Sequence, residues 1–220
     1  MSQYDVVIFD MDGVLLQGAT SLPAVYQEAA VAALDSCGCN PTEAQKRRIG
    51  KYHYDEQFVS CCQELGVEPQ ALWEARERFA DEFAIEWLQD GSRKPYPDTD
   101  ILTDSSLLLA IVSNNRNRTV QFVADELLTA EFEPVIGRAQ TVEGFKRRKP
   151  EPYYLHQALD RLDTNNALYV GDRGADIEAA HRAGIDGAFI RREHNENIMP
   201  EPVPEYDVSG LGELLEAVEQ

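Results

Sequence analysis

The strongest constraint in this chain is a set of short apolar blocks without polar alternation: YDVVIFD (4–10), LLLAIVS (107–113), NALYVGD (166–172) and DGAFIR (186–191). A strand with one solvated face alternates apolar and polar residues, whereas a strand apolar throughout is buried on both faces. Helical stretches run between the blocks: NRTVQFVADELL (117–128), PEPYYLHQALDRL (150–162) and ADIEAAHRAG (175–184), the last closed by glycine. FEPVIG (132–137) adds a short strand. MPEPVPEYDV (199–208) reads as an extended loop with room for another, and LGELLEAVEQ (211–220) as a closing helix. This alternation predicts a parallel α/β sheet with helices on both faces.

The pattern breaks after the first strand. PAVYQEAAVAALDSCG (23–38), PTEAQKRRIG (41–50), DEQFVSCCQELG (55–66) and EPQALWEARERFADEFAIEWLQDG (68–91) read as four helices, each closed by glycine, with no strand among them. GSRKPYPD (91–98) is rich in turn formers and reads as a linker. The expected organisation is a core of residues 1–16 and 95–220 carrying a small all-helical cap of residues 17–94. At 220 residues the chain can support both.

The formal charge of −19 repels polyanions, so nucleic acid and anionic membrane are excluded as general partners. No apolar run, LLLAIV among them, approaches the length needed to cross a bilayer. The N-terminal MSQYDVV has neither the basic nor the apolar region of a secretory signal, so a cytosolic location is expected. Thirty-nine acids against only five lysines lead us to expect adaptation to high salt. Cys37, Cys39, Cys61 and Cys62 follow C-x-C and C-C spacings, not those of zinc knuckles, and are expected to be small buried hydrophobes.

In open parallel sheets, ligands gather at the carboxyl ends of the strands. Those ends here carry Asp10 and Asp12, Ser113 with Asn114 and Asn115, and Asp172 with Asp176 one helical turn on; Lys149 precedes a helix in RRKPEP. Three or four carboxylates and one lysine in a single crevice hold too much negative charge to stay bare. A hard divalent cation with oxygen ligands, Mg²⁺, is the natural neutraliser.

With these residues named, the chain resembles the haloacid dehalogenase-like superfamily of hydrolases, in the phosphatase branch with a helical cap after the first motif. The resemblance rests on Asp10-Met11-Asp12-Gly13-Val14 for D-x-D-G-[TV], on Ser113, on Lys149-Pro150-Glu151-Pro152 for K-P-x-P, and on Gly171, Asp172 and Asp176 for G-D-x-x-x-D. All four motifs occur in order and span nearly the whole chain. The resemblance implies a Rossmann-like core and hydrolysis of a small phosphorylated metabolite, of the phosphoglycolate or sugar phosphate kind, by a monomer or homodimer. It implies Asp10 as nucleophile and Asp12 as acid and base, Asp12 also giving its backbone carbonyl to the metal. Asp10 and Asp172 ligate Mg²⁺, and Asp176 ligates through water or braces the site. Ser113 and its neighbour Asn114 contact the phosphoryl group, and Lys149 balances charge. A phosphosugar mutase is the rival within the family; a phospho-receiver or a non-catalytic binding module is the rival outside it.

Two positions depart from the pattern: Gln17, where an aspartate is common, and Arg173, where a small residue is usual. In the helical stretch, QKRRIGKYHY places Arg47 and Lys51 around Gly50. These three are candidates for a loop that binds an anionic part of the substrate. The competing reading is a solvated helix end whose basic residues match the helix dipole.

Overall fold

The computed structural model describes residues 3–18 and 23–219. The first unit comprises residues 1–20, 93–138 and 147–220. Its sheet holds β1 (Val6–Phe9), β2 (Leu108–Arg116), β3 (Val135–Arg138), β4 (Ala167–Gly171), β5 (Asp186–Ile190) and β6 (Tyr206–Val208). The order is β3-β2-β1-β4-β5-β6, and every neighbouring pair is parallel. Val6, Ile8, Ala110, Val112, Ala167 and Tyr169 face one side, packing with Leu155 and Ala158 of α7 (Tyr153–Leu162) and Ala179 and Ala180 of α8 (Gly174–Ala183). The alternate residues Val7, Phe9, Ile111, Leu168 and Val170 are fully buried as well. Burial of both faces is why these strands carry no polar alternation. The FEPVIG and EYDV segments supply β3 and β6, at the two ends of the sheet order.

Register places the chemistry. Phe9 pairs with Ile111 on one side and with Val170 on the other. Asp10 therefore leaves the sheet level with Val112 and Gly171, and Ser113 and Asp172 follow at the same rim. Strands run to both sides of β1, which makes that rim the switch point of the topology.

The second unit comprises residues 21–92 and 139–146. It holds α1 (Pro23–Ser36), α2 (Glu43–Ile49), α3 (Glu56–Leu65), α4 (Pro69–Gln89) and the five-residue α6 (Val142–Lys146); α5 (Asn117–Glu126) and α9 (Leu211–Val218) belong to the first unit. The helices begin where the sequence offers caps. Thr42 and Gln45 form a reciprocal capping box on α2, and Asp55 accepts from the Phe58 N–H at 2.9 Å on α3. Gly66 ends α3 at φ +71°, a left-handed conformation that glycine adopts without steric cost. The core of the unit gathers Leu34, Ile49, Phe58, Leu72, Trp73 and Phe145. Cys61 and Cys62 are buried in it as expected. Cys37 is exposed and Cys39 only half-buried instead, because α1 stops at Ser36 and both residues follow its end.

Candidate active site

β1 delivers Asp10, whose backbone N–H donates to Val170 O at 2.8 Å. Its Oδ1 accepts from the Met11 N–H at 2.8 Å, and its Oδ2 meets Lys149 Nζ at 3.0 Å. Lys149 Nζ also reaches Asp176 Oδ1 at 2.7 Å and donates to the Tyr169 hydroxyl at 2.5 Å, which donates onward to Val112 O at 2.8 Å. The lysine is thus held by three side chains from three elements. Its backbone is held too: the Asn114 amide accepts from Lys149 N–H at 2.8 Å and donates to Lys149 O at 3.3 Å.

Carboxylate oxygens of Asp10, Asp172 and Asp176 lie within 4.8 Å of one another, and all three residues are buried. Burial, then the Asp176 and Asp10 charges, push Asp172 well above the ordinary carboxylate range. Burial raises Asp176 likewise, against the pull of Lys149. Burial lowers the pKa of Lys149, but Asp10 and Asp176 together outweigh it and leave the pKa raised. The Tyr169 phenol, buried beside three carboxylates, is pushed far up and remains a hydroxyl.

The set fits a hard divalent cation. Three carboxylates face one ammonium, so two negative charges lack an opposite. Asp172 Oδ1 is buried with no hydrogen-bond partner, and the nearest guanidinium nitrogen, Arg173 Nε, is 3.9 Å away. A buried carboxylate oxygen left unpaired is costly, and an oxygen-seeking cation would satisfy it.

Asp12 stands apart from the triad. Its Oδ1 pairs with Arg93 NH1 at 2.8 Å, and its Oδ2 accepts from Asn115 Nδ2 at 3.0 Å. Arg93 also donates to Gln17 O at 2.9 Å and Gly18 O at 2.7 Å, so it ties the two linker segments to Asp12. Ser113 is buried at the end of the apolar part of β2, its hydroxyl accepting from Asn115 N–H at 3.3 Å. Gly13 and Gly171 are dictated by crowding. A Cβ on Gly13 would lie 2.2 Å from Asp172 Oδ2, and one on Gly171 2.1 Å from the Asp176 Cβ. Gly13 also takes φ +79°. Asp176 caps α8, accepting from Arg173 N–H at 3.0 Å.

Of the residues singled out in the sequence, Asp10, Lys149, Asp172 and Asp176 form one cluster, and Asn114 holds its lysine. Arg47, Gly50 and Lys51 lie in the helical unit. Arg47 and Lys51 are exposed, and Gly50 is buried, with Gln27 filling the space a Cβ would take. Arg93, Tyr169, His194 and Asn195 were not anticipated. His194 Nε2 lies 2.7 Å from Asp172 Oδ2, and Asn195 Nδ2 donates to Asp172 O at 3.0 Å.

Buried acids and a lysine at the carboxyl rim of a parallel sheet are the arrangement of an enzyme of the α/β class, and the acid cluster is consistent with a metal site. The chain belongs to the haloacid dehalogenase-like hydrolases, whose family model matches residues 4–184. It is 28% identical to a phosphoglycolate phosphatase of Aquifex aeolicus, over 84% of this chain and 83% of that one. It is also 28% identical to an N-acetylmuramic acid 6-phosphate phosphatase of Pseudomonas aeruginosa, over 84% and 80%. CbbY from Rhodobacter sphaeroides, solved with phosphate, superposes with a TM-score of 0.67 at 15% identity, covering 99% of this chain and all of that one.

Proposed function

We propose that the protein is a divalent-cation-dependent phosphatase that hydrolyses a small organic phosphate monoester through an aspartyl-phosphate on Asp10. The observation that carries this reading is the buried cluster itself, with Lys149 bridging Asp10 and Asp176 while Asp172 Oδ1 has no hydrogen-bond partner. The Asp10 carboxylate attacks phosphorus, and the bond to the ester oxygen breaks. Asp12 gives that oxygen a proton, then takes one from the water that cleaves the acyl phosphate and releases inorganic phosphate. Lys149 keeps Asp10 oriented and offsets charge on the phosphoryl oxygens; Ser113 and the N–H groups beside it contact those oxygens. Asn114, engaged on both sides of the Lys149 peptide, positions the lysine. Asp10, Asp172, Asp176 and the Asp12 carbonyl would hold Mg²⁺, which supplies charge neutralisation at the phosphoryl group when bound.

The two phosphatase relatives are named for glycolate and muramic acid esters, each a phosphate monoester with a carboxylate elsewhere in the molecule. A carboxylated phosphate ester is therefore the substrate class we put first. Arg47 and Lys51 are our candidates for its second anionic group; unchanged KM in Arg47→Ala and Lys51→Ala for every anionic ester would remove them. The test is a phosphate-release screen of phosphorylated metabolites with Mg²⁺, at low and at molar KCl. We expect release by the wild type and a loss of about 10³-fold or more in Asp10→Asn. Isomerisation of a sugar phosphate without release would replace the phosphatase by a mutase. The −19 charge supports a high-salt setting; a melting temperature flat up to molar KCl would count against it.

A further inference from the structure

We infer that His194 is a positioning residue for the cation, orienting the Asp172 carboxylate so that one oxygen is bound to the protein and the other is left for the metal. The inference rests on the cation reading above and extends it to a loop outside the four motifs. A metal ligand must be ionised, and an ionised carboxylate only accepts, so in the cation-bound protein the 2.7 Å contact has His194 Nε2 donating to Asp172 Oδ2. That leaves Oδ1, the buried oxygen without a hydrogen-bond partner. The division of labour between the two oxygens is what a ligating carboxylate requires: one lone pair satisfied by the protein, the other presented.

The loop that carries the histidine is firmly built. Asn195, 1% exposed, donates to Asp172 O at 3.0 Å and to Ile190 O at 2.9 Å, and accepts from Arg192 N–H at 2.7 Å. Arg191 NH1 donates to Asn195 O at 3.3 Å and to Ile198 O at 2.5 Å, while its Nε and NH2 clamp both oxygens of Asp207 at 2.7 and 2.5 Å. The turn after β5 is thereby tied to β6 and to the backbone of the residue it orients. Gly13 completes the fit, since a Cβ there would lie 2.2 Å from Asp172 Oδ2 and 3.2 Å from His194 Cε1. Without the histidine, the carboxylate is free to turn Oδ1 toward Arg173 Nε, now 3.9 Å away, and a guanidinium would compete with the cation.

The experiment measures Mn²⁺ binding to the intact, metal-stripped protein by electron paramagnetic resonance of the free ion, with Asp172→Asn setting the background from diffuse binding to an acidic surface. His194→Ala and the shape-preserving His194→Leu should raise Kd about 10–100-fold, the range for loss of a partner that orients a metal ligand. His194→Gln, whose amide N–H replaces Nε2, should stay within about threefold of wild type. Wild-type binding no tighter than Asp172→Asn would remove the cation site and this inference with it. Specific wild-type binding with an unchanged Kd in His194→Ala or His194→Leu overturns the inference alone, as does a His194→Gln no better than His194→Leu. Direct ¹⁴N coupling in the spin echo of bound Mn²⁺ also overturns it, because the ring would then be a ligand. If His194→Ala does not fold by circular dichroism, the Leu and Gln pair decides.

Discussion

Both units bury charge, and they do so differently. In the helical unit Arg76 and Glu77, each with no exposed side-chain surface, pair at 3.0 Å. Arg76 NH1 donates to Ile49 O and Lys51 O, both at 2.8 Å, and the guanidinium lies 4.0 Å from the Trp73 ring centroid and 5.5 Å from that of Phe58. At the sheet rim of the other unit, three carboxylates gather around one lysine and one buried oxygen makes no hydrogen bond. The first arrangement matches charge with charge and fixes the turn at Gly50. The second reaches balance only with a ligand. Removing a charge should therefore cost stability in the helical unit and function in the sheet unit.

The largest effect on folding is expected from Arg76→Met. It removes a buried charge partner of Glu77 and frees the carbonyls on either side of Gly50, and breaking a buried pair by removing one partner costs about 3–5 kcal/mol. Urea unfolding measures it; a loss under about 1 kcal/mol would erase the contrast between the units. The opposite sign is expected of Asp172→Asn in metal-free protein. Neutralising one of three crowded carboxylates should stabilise at neutral pH by about 1 kcal/mol or more, since each unit by which the folded state raises the pKa corresponds to about 1.4 kcal/mol. The same substitution should abolish the rise in melting temperature that Mg²⁺ gives the wild type.

A pH series sharpens the point. Asp172, pushed up to about 8, and Asp176, also raised, favour protonation in the folded state. Their contribution to stability is complete below the unfolded carboxylate range, near pH 4, and is lost as pH climbs through the raised values. The metal-free protein should therefore weaken between about pH 4 and 8. A cation needs the carboxylates ionised, so the Mg²⁺-induced rise in melting temperature should grow from pH 5 to pH 8. A rise that is flat or shrinks over that range would mean that the triad is not where the ion binds.

How much of this was legible in the sequence follows from what each residue contacts. Strands buried on both faces announce themselves as apolar blocks, and Asp10, Ser113 and Asp172 stand at their ends, so the sheet and the rim that carries these residues were readable. Helical turns without periodicity were not. Pro97–Asp104 has the composition of a loop, and Val142–Lys146 is too short to show a repeat. The missed site residues are those whose partners lie far along the chain. Arg93 looks like a linker residue until Asp12 meets it across 81 positions. Tyr169 reads as one more apolar residue until its hydroxyl is found between Lys149 and Val112. His194 stands in RREHNEN, a polar run with no motif, and its meaning comes only from the fold that brings it to Asp172.

The smallest expected effect tests whether Arg76 organises the core around it. Cys61 and Cys62 are buried with Phe58 and Trp73, whose rings lie within 5.5 Å of that guanidinium. Burial raises both thiols, Cys62 to about 12, so neither offers appreciable thiolate at pH 8, while Cys37 is exposed. Iodoacetamide should therefore label Cys37 first in the native protein and spare the adjacent pair. Arg76→Met should open Cys61 and Cys62 to labelling under conditions where most molecules remain folded, because local opening precedes global unfolding where packing is weakened. Asp172→Asn, a charge change in the other unit, should leave their protection as it is. If both substitutions expose the pair equally, the two units share one cooperative transition, and buried charge in either is felt throughout the chain.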